Sequence, residues 1–154
     1  MKKFFVTIVL CVSIVFYLWA QPKKPAQTQP KKPASAQAKT AGVTQASTER
    51  GRQLYLQICA ACHQKDGGGV PRLNPPLIKT DYVAGDKTRL IRIVLKGLNE
   101  PIEIDGEEYT NAMPGQPHLT DQQIADVLTF VRSNFGNKAS AITPAEVKAV
   151  RAKT

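Results

Sequence analysis

The chain has 154 residues and a formal net charge of +9, from 21 Lys and Arg against 12 Asp and Glu. That charge belongs to the ends: residues 1–48 carry seven Lys and no acid, residues 49–138 eleven bases against eleven acids, and residues 139–154 three against one. A balanced middle argues against a nucleic-acid groove, so no nucleic-acid partner is expected, and the basic ends suit membrane or wall proximity or plain solubility.

Residues 1–20 read as a signal peptide or an N-terminal membrane anchor. Met1, Lys2 and Lys3 form a short positive region, and Phe4 to Ala20 holds only Thr7 and Ser13 as ordinary polar interruptions. Ala20 suits a cleavage site but Leu18 does not, while the apolar run is just long enough to span a thin bilayer. Both cleavage and retention as a tether through residues 4–20 therefore fit, and either sends the remainder out of the cytoplasm. Cys11 reads as an ordinary apolar member of this run.

Residues 21–47 hold two Gln-Pro-Lys-Lys-Pro-Ala repeats, at 21–26 and 29–34, and no apolar periodicity. Proline favours extended backbone and the lysines repel one another, so a semi-rigid, disordered linker is expected. Thr48 is the expected helix cap, with Glu49 in the first turn and the helix running through Leu54, Tyr55 and Ile58. Gly51 and Tyr55 share a face four residues apart, and glycine there permits a close helix approach.

That helix leads into Cys59-Ala60-Ala61-Cys62-His63, a C-x-x-C-H run. Two thiols one helical turn apart, with an imidazole behind the second, suit covalent attachment of one c-type haem with His63 as proximal iron ligand. A thioredoxin-like dithiol needs a βαβ context, and the upstream stretch is rich in lysine and proline. A zinc site needs four ligands, whereas the remaining candidates are Cys11 and His118. A buried porphyrin would also supply the core that a segment of about 90 residues struggles to build from side chains alone.

Lys65 to Leu77 is a loop in which a backbone carbonyl is expected to accept from the free ring nitrogen of His63. Its Gly67-Gly68-Gly69 triplet lacks the lysine and hydroxyl residue of a phosphate loop. Asp86 caps a helix over Lys87–Lys96, with Leu90, Ile91, Val94 and Leu95 on its apolar side and Gly97 as its stop. Ile102 to Tyr109 alternates around Asp105-Gly106 and predicts a small hairpin. Met113, fifty residues past His63, precedes Pro114 in a predicted loop and is the candidate second iron ligand, a neutral thioether that raises a haem potential. His118 is its rival, and core filling is the other role for a methionine. Thr120 and Gln123 form a capping box, Leu119 and Ile124 a staple, and the helix they start runs to Asn134 with a stop at Gly136. Residues 139–154 read as a tail, with a weak helix over 144–150 and no assigned role.

Cys59, Cys62, His63, the Asn74-Pro75-Pro76-Leu77 turn, Met113-Pro114 and the helix through Phe130 resemble, in that order, the small monohaem cytochromes c with histidine and methionine ligation. The resemblance covers about residues 48–137, and 48–138 is taken as the domain. It implies an all-α, cytochrome c-like fold wrapped around one covalent haem c, with the hairpin as a small insertion. It further implies that Pro75, or alternatively Pro76, gives its carbonyl to His63, that Leu77 packs on the haem, that Gly51 and Tyr55 meet the last helix, and that Tyr109 lies near the methionine side.

The function it implies is one-electron transfer in the periplasm. The expected partners are a dehydrogenase or quinol-oxidising complex on one side and a terminal oxidase or reductase on the other. An electron-entry or exit subunit of a larger periplasmic oxidoreductase is the alternative, as is a gas-binding sensor with an open iron position. Nothing in the chain supplies an acid–base pair or an open metal site of its own, so catalysis is not expected. An exported thiol or metal-binding module is the reading without haem.

Overall fold

The computed structural model describes residues 36–154. The expected signal or anchor at 1–20 and most of the expected linker lie outside the described residues. Among those described, no helix is long and apolar enough to cross a membrane.

The first helix, α1 (Ala36–Leu54), starts well before Thr48. Thr48 is therefore interior to the helix and does not cap it, and residues 36–47, expected in the linker, are helical. The alanines and polar straight-chain residues of this stretch are good helix formers, and the prolines that argue for extended chain stop at Pro33. The helix continues through one π-helical turn, Tyr55–Cys59, into α2 (Ala60–His63).

Two short elements follow the loop: α3 (Asp81–Ala84), capped by the Thr80 hydroxyl, and α4 (Lys87–Lys96), capped by Asp86 as expected. Four short strands come next, β1 (Gly97–Leu98), β2 (Ile102–Ile104), β3 (Glu107–Tyr109) and β4 (Met113–Pro114). β2 and β3 form the expected hairpin, with Ile102 opposite Tyr109 and positive φ at Asp105 and Gly106, the backbone that an Asp-Gly turn supplies at least strain. β1 pairs antiparallel with β4, placing Leu98 opposite Met113, so the methionine sits in a short strand where a loop is expected. Gly97 makes the pairing close: a Cβ on it would meet the Met113 carbonyl oxygen at 2.4 Å.

The capping box of Thr120 and Gln123 starts α5 (Asp121–Ser133), which is buried on most sides. It crosses α1 at Gly51, where a Cβ would lie 2.0 Å from the Asp126 carbonyl oxygen and 2.9 Å from the Phe130 Cβ. Beside the crossing, the buried Asp126 carboxylate accepts from Ser47, from Gln122 and from two nitrogens of Arg50. Tyr55 stacks against Phe130 and Phe135 with centroids 5.4 and 5.2 Å apart, geometries favourable to aromatic pairs.

Residues 139–154 are not a tail. α6 (Pro144–Arg151) has its own capping box, Thr143 with Glu146, and buries Val147 and Val150 against α4 and α5 together with Ile142. Lys87 pairs with Glu146 at 2.9 Å and Arg151 with Asp121 at 2.7 Å. The buried Arg132 guanidinium ties α5 to the carbonyls of Val83, Gly85 and Ser140. A window of eight residues with four apolar ones looks weak alone; it becomes a packed element because two helices offer it a groove.

Candidate haem site

α1 and its π-helical extension deliver Cys59, Cys62 and His63 in succession. Tyr55, fully buried at the start of that extension, anchors it against α5. Cys59 is half-buried and Cys62 exposed, and they are not joined in a disulfide. Burial, reinforced by Cys62, pushes the Cys59 thiol up to about 11, which opposes the low pKa a redox-active dithiol needs. Among the described residues no three His, Cys, Asp or Glu side chains gather as a metal site, and no strand precedes Cys59.

His63 is 8 % exposed. Its Nδ1 lies 2.9 Å from the carbonyl oxygen of Pro75. A carbonyl only accepts, so the proton of the neutral ring resides on Nδ1 and the lone pair on Nε2. Burial holds the imidazole pKa below its ordinary value, against the opposing pull of that hydrogen bond. The ring is thus neutral and of one tautomer, as metal ligation requires.

The loop reaches this geometry through its glycines. Gly69 donates its N–H to the His63 carbonyl at 3.0 Å, and a Cβ on it would meet the carbonyl oxygens of Asn74 and Pro75 at 2.3 and 2.7 Å. Gly67 accepts from the Leu77 N–H at 2.8 Å and is backed by the Phe135 ring. Asn137, buried, donates to the carbonyls of Leu77 and Val131 and accepts from the Lys79 N–H at 2.7 Å, so the end of the loop is sewn to the end of α5. On the other side the loop meets the segment before Met113. Thr110 and Asn111 donate their N–H groups to the carbonyls of Arg72 and Leu73 at 3.3 and 3.1 Å.

Between these segments lies a largely apolar cavity, partly open to solvent. Cys59, His63, Pro75, Leu77, Tyr109 and Met113 all line it, with Val94, Val127, Leu128 and Val131 among its apolar walls. Cys62 lies outside the lining, on the exposed turn beside it. His118 is exposed and takes no part. Tyr109 is buried and donates its hydroxyl to Glu107 at 3.0 Å. Apolar walls, a neutral imidazole and a thioether fit a planar apolar macrocycle with a central iron.

Three contributors were not singled out in the sequence. Gly69 and Asn137 carry no ligand chemistry and act through contacts 5 and 58 to 60 residues away, and the glycine triplet was the only local sign of the first. Tyr82, whose ring the Arg89 guanidinium covers at 4.5 Å, also lines the cavity, and nothing local marked it.

The sequence profile of the cytochrome c family matches residues 48–135. The chain is 39% identical over 104 residues to the cytochrome c subunit of a quinone alcohol dehydrogenase from Gluconacetobacter polyoxogenes, covering 66% of this chain but 22% of that subunit. A gluconate 2-dehydrogenase cytochrome c subunit from Pantoea cypripedii is 38% identical over 108 residues, 68% of this chain and 24% of that one. Cytochrome c-552 of Thermus thermophilus is 36% identical over 114 residues, 67% of this chain and 85% of its own length. The chain thus spans about a fifth to a quarter of the dehydrogenase subunits, and most of the length of cytochrome c-552.

Proposed function

This chain belongs to the cytochrome c family, and from that premise we propose how its residues hold a haem and move single electrons. Haem electron transfer is its function, and covalently bound haem c is its implied cofactor. Haem supplies an iron that takes up and gives back one electron. Cys59 and Cys62 would attach one such group by two thioethers, and His63, its ring oriented by the Pro75 carbonyl, would ligate through Nε2. Met113, held by the pairing of β4 with β1, would ligate through its sulfur. The carrying observation is that one apolar cavity is lined by Cys59, Met113 and a His63 whose Nδ1 is already committed to Pro75 at 2.9 Å.

With His63 and Met113 both holding the iron, no substrate would need to reach it. The chain is then a carrier and not a catalyst, working by outer-sphere transfer with little rearrangement. The packed α1–α5 crossing and the loop bonds to Thr110 and Asn111 support that rigidity. The proposed setting is the periplasm, between a dehydrogenase or quinol-oxidising complex and a terminal oxidase or reductase. A second reading, favoured by the 38 to 39% identity to dehydrogenase cytochrome subunits, is an electron-entry or exit subunit of a larger oxidoreductase.

The test is a mass measurement and a spectrally monitored redox titration of the exported protein. A mass increased by one haem, and an oxidised spectrum with the weak sulfur-to-iron band at its red edge, are expected. A bare polypeptide mass overturns the attachment. Haem without that band overturns Met113 as ligand and turns the reading toward an open, gas-binding iron. The same mass tells whether residues 1–20 have been removed or remain as a tether.

A further inference from the structure

Gln64, the residue directly after His63, has φ 61° and ψ 163°, a backbone region essentially reserved for glycine. A residue with a side chain stays there only when its surroundings over-determine it. The Tyr55 hydroxyl donates to the Gln64 carbonyl at 2.6 Å and lies 3.4 Å from the His63 carbonyl. The Gly67 N–H donates to the Gln64 carbonyl at 3.2 Å, and the Gly69 N–H to that of His63 at 3.0 Å. The two glycine amides belong to the loop that Gln64 itself launches, so they move with it. Tyr55 does not: it is fully buried between Phe130 and Phe135, one turn from the Gly51 crossing. Burial also pushes its phenol pKa up, so the hydroxyl keeps its proton.

We propose that Tyr55 is a positioning residue for His63: its hydroxyl latches the Gln64 carbonyl in the strained turn and so keeps the imidazole in register with the Pro75 carbonyl. The inference rests on the reading of His63 as an axial ligand. The turn at Gln64 ends α2 immediately after His63 and reverses the chain into the loop. Without the latch, Gln64 relaxes toward backbone angles that side chains favour. The path to Pro75 then changes at its first step, and the ring loses its tether to the carbonyl. Glycine at position 64 adopts the observed angles without strain, so it makes the latch unnecessary.

The test uses the ferric holoprotein and two NMR readouts, the hyperfine-shifted His63 ring resonances and the solvent exchange of its Nδ1 proton. Tyr55→Phe is expected to displace the resonances and to accelerate exchange roughly tenfold, the loss of one hydrogen bond. Tyr55→Phe combined with Gln64→Gly is expected to return both to wild-type values. General destabilisation from a lost hydroxyl would not be repaired by removing a side chain at position 64. Unchanged resonances in Tyr55→Phe overturn the proposal, as does a double variant as perturbed as the single one. A wild-type holoprotein without His63 among its hyperfine-shifted signals would overturn the ligand reading itself, and this inference with it.

Discussion

Gly51 and Asp126 bring two helices so close that a single methyl group would lie 2.0 Å from a carbonyl oxygen. The neighbour is backbone and cannot swing aside, so accommodation requires the helices to part. That would pull Tyr55 from Phe130 and Ser47 and Arg50 from the Asp126 carboxylate. Gly51→Ala is therefore expected to destabilise the holoprotein by at least about 3 kcal/mol, read from its denaturant midpoint. A loss within about 0.5 kcal/mol, the range of an inert surface change, would mean the crossing is looser than its geometry indicates.

Asn137 satisfies three backbone groups, on Leu77, Lys79 and Val131, from a buried position. Asn137→Ala removes all three partners and leaves donors and acceptors facing a small void. The expected loss is about 3 kcal/mol. Because Leu77 lines the cavity, hydrogen exchange should rise first at the Leu77 and Lys79 amides, and equal acceleration across all of α5 would count against this local role.

Glu146 reports how α6 is docked. Burial raises its carboxyl pKa, but hydrogen bonds from Lys87 and from the amide and hydroxyl of Thr143 outweigh this and hold it below the ordinary value. A carboxylate with a depressed folded pKa contributes stability above its unfolded pKa of about 4.3, and this stability disappears as the pH falls through the folded value. Glu146→Gln keeps a residue suited to the capping box while removing the charge. Wild type should melt higher than Glu146→Gln at neutral pH, and the gap should close once acid has protonated Glu146. A gap independent of pH would show that the charge is immaterial.

Met113 lines the cavity from the pairing of β4 with β1. Met113→Ala is expected to abolish the red-edge band of the oxidised protein and to lower the reduction potential, since thioether ligation opposite histidine favours the ferrous state. The backbone pairing with Leu98 does not involve the sulfur, so thermal stability should change less than the potential. An unaltered spectrum and potential would assign the position to another group.

The chemistry-bearing residues were legible in the sequence because their signals are local. C-x-x-C-H is a covalent spacing, the Thr120 capping box spans one turn, the Asp-Gly hairpin needs only two backbone angles, and Met113 was conspicuous beside a proline. The helix starts at Ala36 and not at Thr48, since a good capping residue also tolerates a helix interior and nothing nearby says which applies. Residues 139–154 looked like a tail because a short amphipathic segment has no stability of its own; the groove between α4 and α5 supplies it, and that groove exists only after folding. Likewise local spacing could name His63 but not the carbonyl that orients it, which only the family resemblance narrowed to Pro75 or Pro76. The aim depends on Gly69 admitting the Pro75 backbone, Tyr55 setting the turn after His63, and Asn137 holding the far end of the loop from 58 and 60 residues away. What the sequence determined by itself is the set of groups proposed to bond an iron porphyrin; how those groups are aimed was decided by tertiary packing, because orientation is a property of neighbours and not of spacing.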